Sequence, residues 1–268
     1  MGKPRSNGWN RAMSTYYWGF WYAFIFLSRV PGPYLKRIDQ DVERAAMWFY
    51  PVVGGLLGIL AVSLVFLCYA YNPQAPTTLI AALVLALWVY YTGAMHLDGI
   101  ADTADAWVGG LGNHERTLEI MKDPRIGAMG TAAMSVVVVV KFAAIAALVE
   151  QFHSNKWLVV GGLLLIPMFS RAGILGLIAT TQYVRKQGMV SNTQSGATKF
   201  KLATISLVLI LLSVVLLEAK AVILIMAWLI ILALYRRALI KRLGGYTGDT
   251  LGASVEIQEV LLLVVLAL

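Results

Sequence analysis

Charge and sulfur are what this sequence has least of. Its 268 residues include one cysteine, three histidines and only 13% charged side chains, against 59% hydrophobic residues. A lone cysteine, Cys68, set inside an apolar run, excludes a disulfide framework and any metal centre built on cysteine pairs. Soluble globular domains carry about 25% charged residues, so this composition, with a mean hydropathy of +0.72, excludes an ordinary soluble domain. Acids are the scarcer sign, 14 against 22 Lys and Arg, which leaves a net charge of +8. In a membrane chain that excess needs no nucleic acid to explain it, because Lys and Arg concentrate in cytoplasmic loops. No cleavable leader is evident, since the first apolar stretch is aromatic-rich and lacks a small-residue cleavage site. The chain reads as one all-α domain, residues 1–268, with about six to seven membrane helices and an N-terminal interfacial helix.

Apolar runs of spanning length are what the chain has in abundance. Tyr16 to Val30 is the interfacial candidate, stopped at Pro31 and Pro33. Met47 to Tyr71, Thr77 to Met95, Thr131 to Val149, Trp157 to Thr180, Leu202 to Leu217 and Ala221 to Leu234 follow. Gly54, Gly55 and Gly58 in the first of these allow another backbone to come close. Val260 to Leu268 is too short to span, so the last helix is expected to begin near Ala253 or to dip only partway. The turns near Asn72, His153 and Ala219 carry only Glu150, Lys156, Glu218 and Lys220. Most of the remaining charge sits in the leader, a central polar island and the segments Gln182 to Lys201 and Tyr235 to Glu256. The positive-inside rule puts all of these on the cytoplasmic face.

The island concentrates the chemistry. Six of the 14 acids fall between Asp98 and Asp123. Asp98, Asp102 and Asp105 stand at i, i+4 and i+7, so on a helix they share one face. Three carboxylates so placed repel one another unless a cation sits among them, and Mg2+ takes oxygen donors completed by water and phosphate. His96 precedes them as a candidate proton acceptor, and Gly93 and Gly99 let a phosphorylated ligand reach the backbone. Further on, Pro124 fixes a turn that can aim Asp123 and Arg125 at one ligand, with Lys122 and Arg116 as weaker phosphate contacts. Glu115 and Glu119 read as a salt-bridged solvent face.

Three more features could belong to a site. Arg171 is a charge inside an apolar run, where charges face a cavity or a partner. Gly244 to Gly252 is a glycine-rich turn, with Thr247, Gly248 and Asp249, of the kind that cradles phosphate, though no Lys-Ser or Lys-Thr closes it as in a P-loop. Glu256 and Glu259, spaced i, i+3, open the last apolar run.

Taken together these stretches resemble the cobalamin 5'-phosphate synthase family, also called adenosylcobinamide-GDP ribazoletransferases. The resemblance covers nearly the whole chain. It rests on Ser28-Arg29-Val30-Pro31, Tyr50-Pro51-Val52-Val53-Gly54, the run from His96 to Asp105, the run from Leu118 to Gly127, Ser170-Arg171, and Gly245 to Ala253 with Glu256 and Glu259. Pro124 departs from the pattern, in which a serine is expected, so any contact by that hydroxyl is missing here. The resemblance implies a bacterial inner-membrane, Mg2+-dependent transferase of the last steps of vitamin B12 assembly. Such an enzyme joins adenosylcobinamide-GDP to alpha-ribazole or its 5'-phosphate and releases GMP. Two alternatives stand beside it. A CDP-alcohol phosphotransferase also uses spaced aspartates, but no Ala-Arg follows Asp98. A cation-coupled transporter would place its acids near mid-membrane, and here they cluster at one face.

Overall fold

The computed structural model describes residues 8–185 and 196–268. Residues 1–7 of the basic leader, and residues 186–195 of the second polar segment with Lys186, lie outside that set. Among the described residues the regular structure is helical, with no strand and one isolated bridge between Tyr183 and Tyr246. Six helices are long and apolar enough to cross a membrane, and a bent pair makes a seventh if counted as one span. The protein is therefore a multi-pass membrane protein.

Helix α1 (Gly8–Leu27) carries the aromatic stretch and packs on α2 (Gln40–Ala46), with Gly19 against Ala45. Asp39 caps α2, accepting from the Val42 N–H at 3.0 Å. A single 3-10 turn, Met47–Phe49, leads into α3 (Tyr50–Tyr71). The most deeply buried span is α8 (Lys156–Thr180), 83% inside the bundle, and α3 packs along it. As the glycine spacing predicts, their backbones come close. A Cβ at Gly54 would stand 2.1 Å from the Pro167 carbonyl oxygen, and one at Gly58 2.7 Å from that of Leu163. Pro167 has no N–H to give Leu163, so the same stretch of α8 carries both an open carbonyl and the tight contact.

Helix α4 (Thr77–Thr92) ends in two consecutive left-handed residues, Gly93 (φ 59°) and Ala94 (φ 57°). The chain turns there by 83° into α5 (Met95–Gly109), which runs across the bundle rather than through it. The left-handed conformation costs alanine about 1–2 kcal/mol. Gly93 is required twice over, because a Cβ there would also lie 2.1 Å from Arg29 Cγ. Short α6 (His114–Ile120) precedes α7 (Ala128–Glu150). After α8 come α9 (Gly196–Leu217) and α10 (Lys220–Leu243), whose apolar faces are mostly exposed, as lipid-facing spans require.

The last helix overturns the sequence expectation. It does not begin near Ala253 or stop partway: α11 spans Gly248–Ala267, is long enough to cross, and is 67% buried. Its polar positions Glu256, Gln258 and Glu259 are matched by buried partners inside the bundle, so they do not end the span. Helix α10 likewise runs on to Leu243, well past Leu234.

Candidate active site

The site is made where α5 crosses the start of α11. Two glycines permit the crossing. A Cβ at Gly99 would lie 2.6 Å from the Asp249 carbonyl oxygen, and Gly252 faces His96 and Gly99 in turn. This contact brings Asp98 and Asp249, 151 positions apart in the chain, to one cavity of about 210 Å³. His96 completes its polar wall, and Phe26, Ile174 and Leu251 give it an apolar side. His96 is buried, and its Nδ1 has no hydrogen-bond partner among the described residues.

Asp102 lies one turn further along α5. Its partial burial, and then the negative charges of Asp98, Asp249 and Asp105, push its carboxyl up to about 6. That is the electrostatic signature of carboxylates crowded without enough positive charge. Even so, no three His, Cys, Asp or Glu side chains among the described residues converge as a ready metal cage.

Asp105 shares that face, and its charge reaches Asp102, but its carboxylate has other partners as well. Its carboxylate accepts the Gly127 N–H at 2.7 Å and the Gly130 N–H at 2.8 Å, at the start of α7. Both oxygens thus satisfy N–H groups that a helix leaves open at its N-terminus. The i+7 spacing is real, but a neighbouring helix claims the third acid.

The Asp123–Arg125 turn is also not aimed into the cavity. Arg125 grips Asp123 with its fork, Nε to Oδ1 at 2.9 Å and Nη2 to Oδ2 at 2.7 Å, in an exposed position. That hydrogen bonding holds the Asp123 carboxyl down at about 2. Lys122 is exposed beside it. Thr247 is buried, and its hydroxyl caps α11 by accepting the Thr250 N–H at 3.2 Å, while the Thr250 hydroxyl accepts the Thr247 N–H at 2.8 Å. Gly248 lines the cavity.

Arg171, Glu256 and Glu259 form a separate, fully buried layer with a residue that the reading of the sequence missed. Lys141 on α7 donates to Glu256 at 2.9 Å and to Glu259 at 2.5 Å. Arg171 donates to Glu259 through Nη1. The Trp88 indole N–H (2.9 Å) and the Ser170 hydroxyl (3.1 Å) complete the Glu259 carboxylate. Two cations balance two anions, and the cluster ties α4, α7, α8 and α11 together. The signal was in the sequence: Lys141 interrupts the apolar run from Thr131 to Val149, as Arg171 interrupts its own. Removing one member of a buried ion cluster leaves an uncompensated charge and costs about 3–5 kcal/mol. Lys141→Met should lower stability in detergent by that order, and adding Glu256→Gln should return most of it. Thermal unfolding of the two variants checks this, and a Lys141→Met protein that melts like the parent would refute it.

The chain is similar to known proteins along nearly its whole length. The family described as cobalamin-5-phosphate synthase matches residues 19–267. A protein of Pseudomonas entomophila (strain L48) named adenosylcobinamide-GDP ribazoletransferase is 42% identical over 254 residues, covering 93% of this chain and 98% of its own length. One of the same name from Acinetobacter baumannii (strain ACICU) is 40% identical over 245 residues, 91% of this chain and 94% of its own. No solved structure matches the chain.

Proposed function

The chain belongs to the cobalamin-5-phosphate synthase family and has the adenosylcobinamide-GDP ribazoletransferase activity of cobalamin biosynthesis, and from that premise we propose how it acts. The acceptor is alpha-ribazole or its 5'-phosphate. Its hydroxyl oxygen bonds to the phosphorus attached to the cobinamide arm, the bond from that phosphorus to the GMP oxygen breaks, and GMP leaves. The observation that carries this reading is the single cavity shared by Asp98, Asp249 and His96.

In phosphoryl-type transfer a protein mainly positions reactants and stabilises charge. The donor set fits Mg2+, which is commonly held by one or two carboxylates with water and substrate phosphates completing it. Asp98 and Asp249, which share the cavity, and Asp102, one turn further along α5, would hold it. Bound there, the ion would offset the charge of the diphosphate. The chain's own part is to orient and to accept a proton. The His96 Nδ1, which has no partner among the described residues, is an acceptor that the cation seat leaves free. Phe26, Ile174 and Leu251 give the reacting end an apolar side. The cavity is far too small for a corrin ring, so the corrinoid stays outside it and only its phosphorylated arm enters.

The decisive experiment supplies purified protein and Mg2+ with adenosylcobinamide-GDP, with and without alpha-ribazole, and follows GMP. Release of GMP that requires alpha-ribazole supports the reading. Release without it, or none with either acceptor, defeats it.

The same proposal sets the protein in the bacterial inner membrane with the site on the cytoplasmic face, on the charge bias of the loops. In a Cys68→Ala background, cysteine at Glu115 should react with an impermeant thiol reagent only from the cytoplasmic side, and cysteine at Gln74 only from outside. Both positions are exposed. Labelling of both from one side would overturn the orientation.

A further inference from the structure

The acidic mouth already contains a cation of its own. Arg185 donates from Nη2 to Asp249 Oδ2 at 2.6 Å, with both side chains about a quarter exposed. Its charge also reaches Asp102. Nothing in the spacing of the sequence points to it, because it lies 64 residues before its partner in a segment that reads as loop.

The backbone sets Arg185 in place. The Val184 N–H donates to the Tyr246 carbonyl at 3.1 Å, and the Tyr246 N–H donates to the Gln182 carbonyl at 2.9 Å. The Tyr183 and Tyr246 rings meet edge to face at 5.4 Å. Gly245 is obligatory for this seam, since a Cβ there would stand 2.1 Å from the Gln182 oxygen. The seam hangs Arg185 over the first turn of α11, against the carboxylate that lines the cavity. The guanidinium is not used up by the contact: its Nε is buried and has no partner among the described residues.

We propose that Arg185 is a positioning residue that exchanges partners during the reaction. It holds Asp249 while the mouth is empty, and swings its fork to a phosphate of the nucleotide-bearing substrate when a divalent cation takes Asp249. The proposal rests on the reading of Asp98, Asp102 and Asp249 as the cation's seat. A guanidinium suits both partners, because its planar donors match a carboxylate or a phosphate equally well. Two cations cannot share one carboxylate oxygen at full strength, so arginine and metal compete for Asp249. The released arginine then faces the anion that the metal brings with it. A static salt bridge would also weaken cation binding by its charge, but it would add nothing to the hold on the nucleotide.

Exchange moves the two bindings in opposite senses, which a structural role does not predict. Binding of Mn2+, used as the spectroscopic probe, is measured by electron paramagnetic resonance on the full chain in detergent, without substrate. Arg185→Gln should bind Mn2+ about tenfold more tightly than the parent, and in the presence of Mn2+ it should bind GMP about tenfold more weakly. Arg185→Lys keeps the charge but not the fork. It should bind Mn2+ like the parent and lose most of the GMP gain. If the parent binds Mn2+ and Arg185→Gln binds it no more tightly, with the fold intact by thermal melting, the exchange is refuted while the reaction reading stands. If neither protein binds Mn2+, with or without GMP, the cation seat falls and the exchange with it. If competition is seen but GMP is never released from adenosylcobinamide-GDP, the reaction reading fails and the exchange stands.

Discussion

Asp98→Asn and Asp102→Asn should each lower GMP release about a hundredfold or more per folded molecule, while Asp105→Asn should change turnover little. On spacing alone the three are equivalent, one face of one helix. The structure separates them. Asp98 lines the cavity and Asp102 stands in the field of Asp98 and Asp249. Asp105 instead spends both oxygens on the Gly127 and Gly130 N–H groups. Losing a charge-assisted contact made in the transition state costs on the order of 3 kcal/mol, about a hundredfold in rate. An asparagine at 105 keeps one acceptor and turns an N–H toward the other donor, which costs about 1–2 kcal/mol of stability. Turnover and unfolding must therefore be measured on the same preparations. An Asp105→Asn enzyme that melts like the parent but has lost a hundredfold in rate would put the third acid back with the other two.

That contrast marks how far the sequence could be read. Spans were legible because apolar runs of spanning length are a one-dimensional signal, and the glycines of α3 announced a close neighbour that proves to be α8. The pairing of the Asp triplet with the distant turn at Asp249 was legible as a shared face, though not as a contact. What made it a contact is the 83° bend at Gly93 and Ala94 together with Gly99. A left-handed alanine leaves no mark in a sequence. Polar residues misled in the opposite direction. Glu256 and Glu259 made the last helix look too short, because a carboxylate in an apolar run reads as a boundary unless its counter-charge is known. That counter-charge, Lys141, lies 115 and 118 positions away, and a pair so separated can be recognised only once both helices are in place. Arg185 was missed for the same reason.

Asp249→Asn should cut turnover about a hundredfold, and Thr247→Val should leave turnover per folded molecule nearly unchanged. The two residues sit two positions apart in a turn that reads, in sequence, as one phosphate-cradling unit, and two roles compete for it: capping α11 and serving the reaction. The structure gives them different main partners, although the Thr247 hydroxyl also donates to Asp249 Oδ2 at 3.5 Å. Thr247 and Thr250 satisfy each other's N–H groups in a reciprocal capping pair, so the helix does not need Asp249 as its cap. Asp249 instead lines the cavity beside Asp98 and holds Arg185. Loss of a cap costs about 1 kcal/mol, which thermal melting of Thr247→Val should register. Loss of a charged contact in the transition state costs on the order of 3 kcal/mol, which appears in rate. Asp249→Asn also frees Arg185, so its melting temperature should fall slightly, by no more than a partly exposed ion pair is worth, about 0.2–1 kcal/mol. The loss of rate should therefore far exceed the loss of stability in Asp249→Asn, and the reverse should hold in Thr247→Val. An Asp249→Asn enzyme with parental turnover would return the whole turn to scaffolding. A Thr247→Val enzyme that keeps its melting temperature and loses its rate would move the threonine hydroxyl from the helix cap to the substrate.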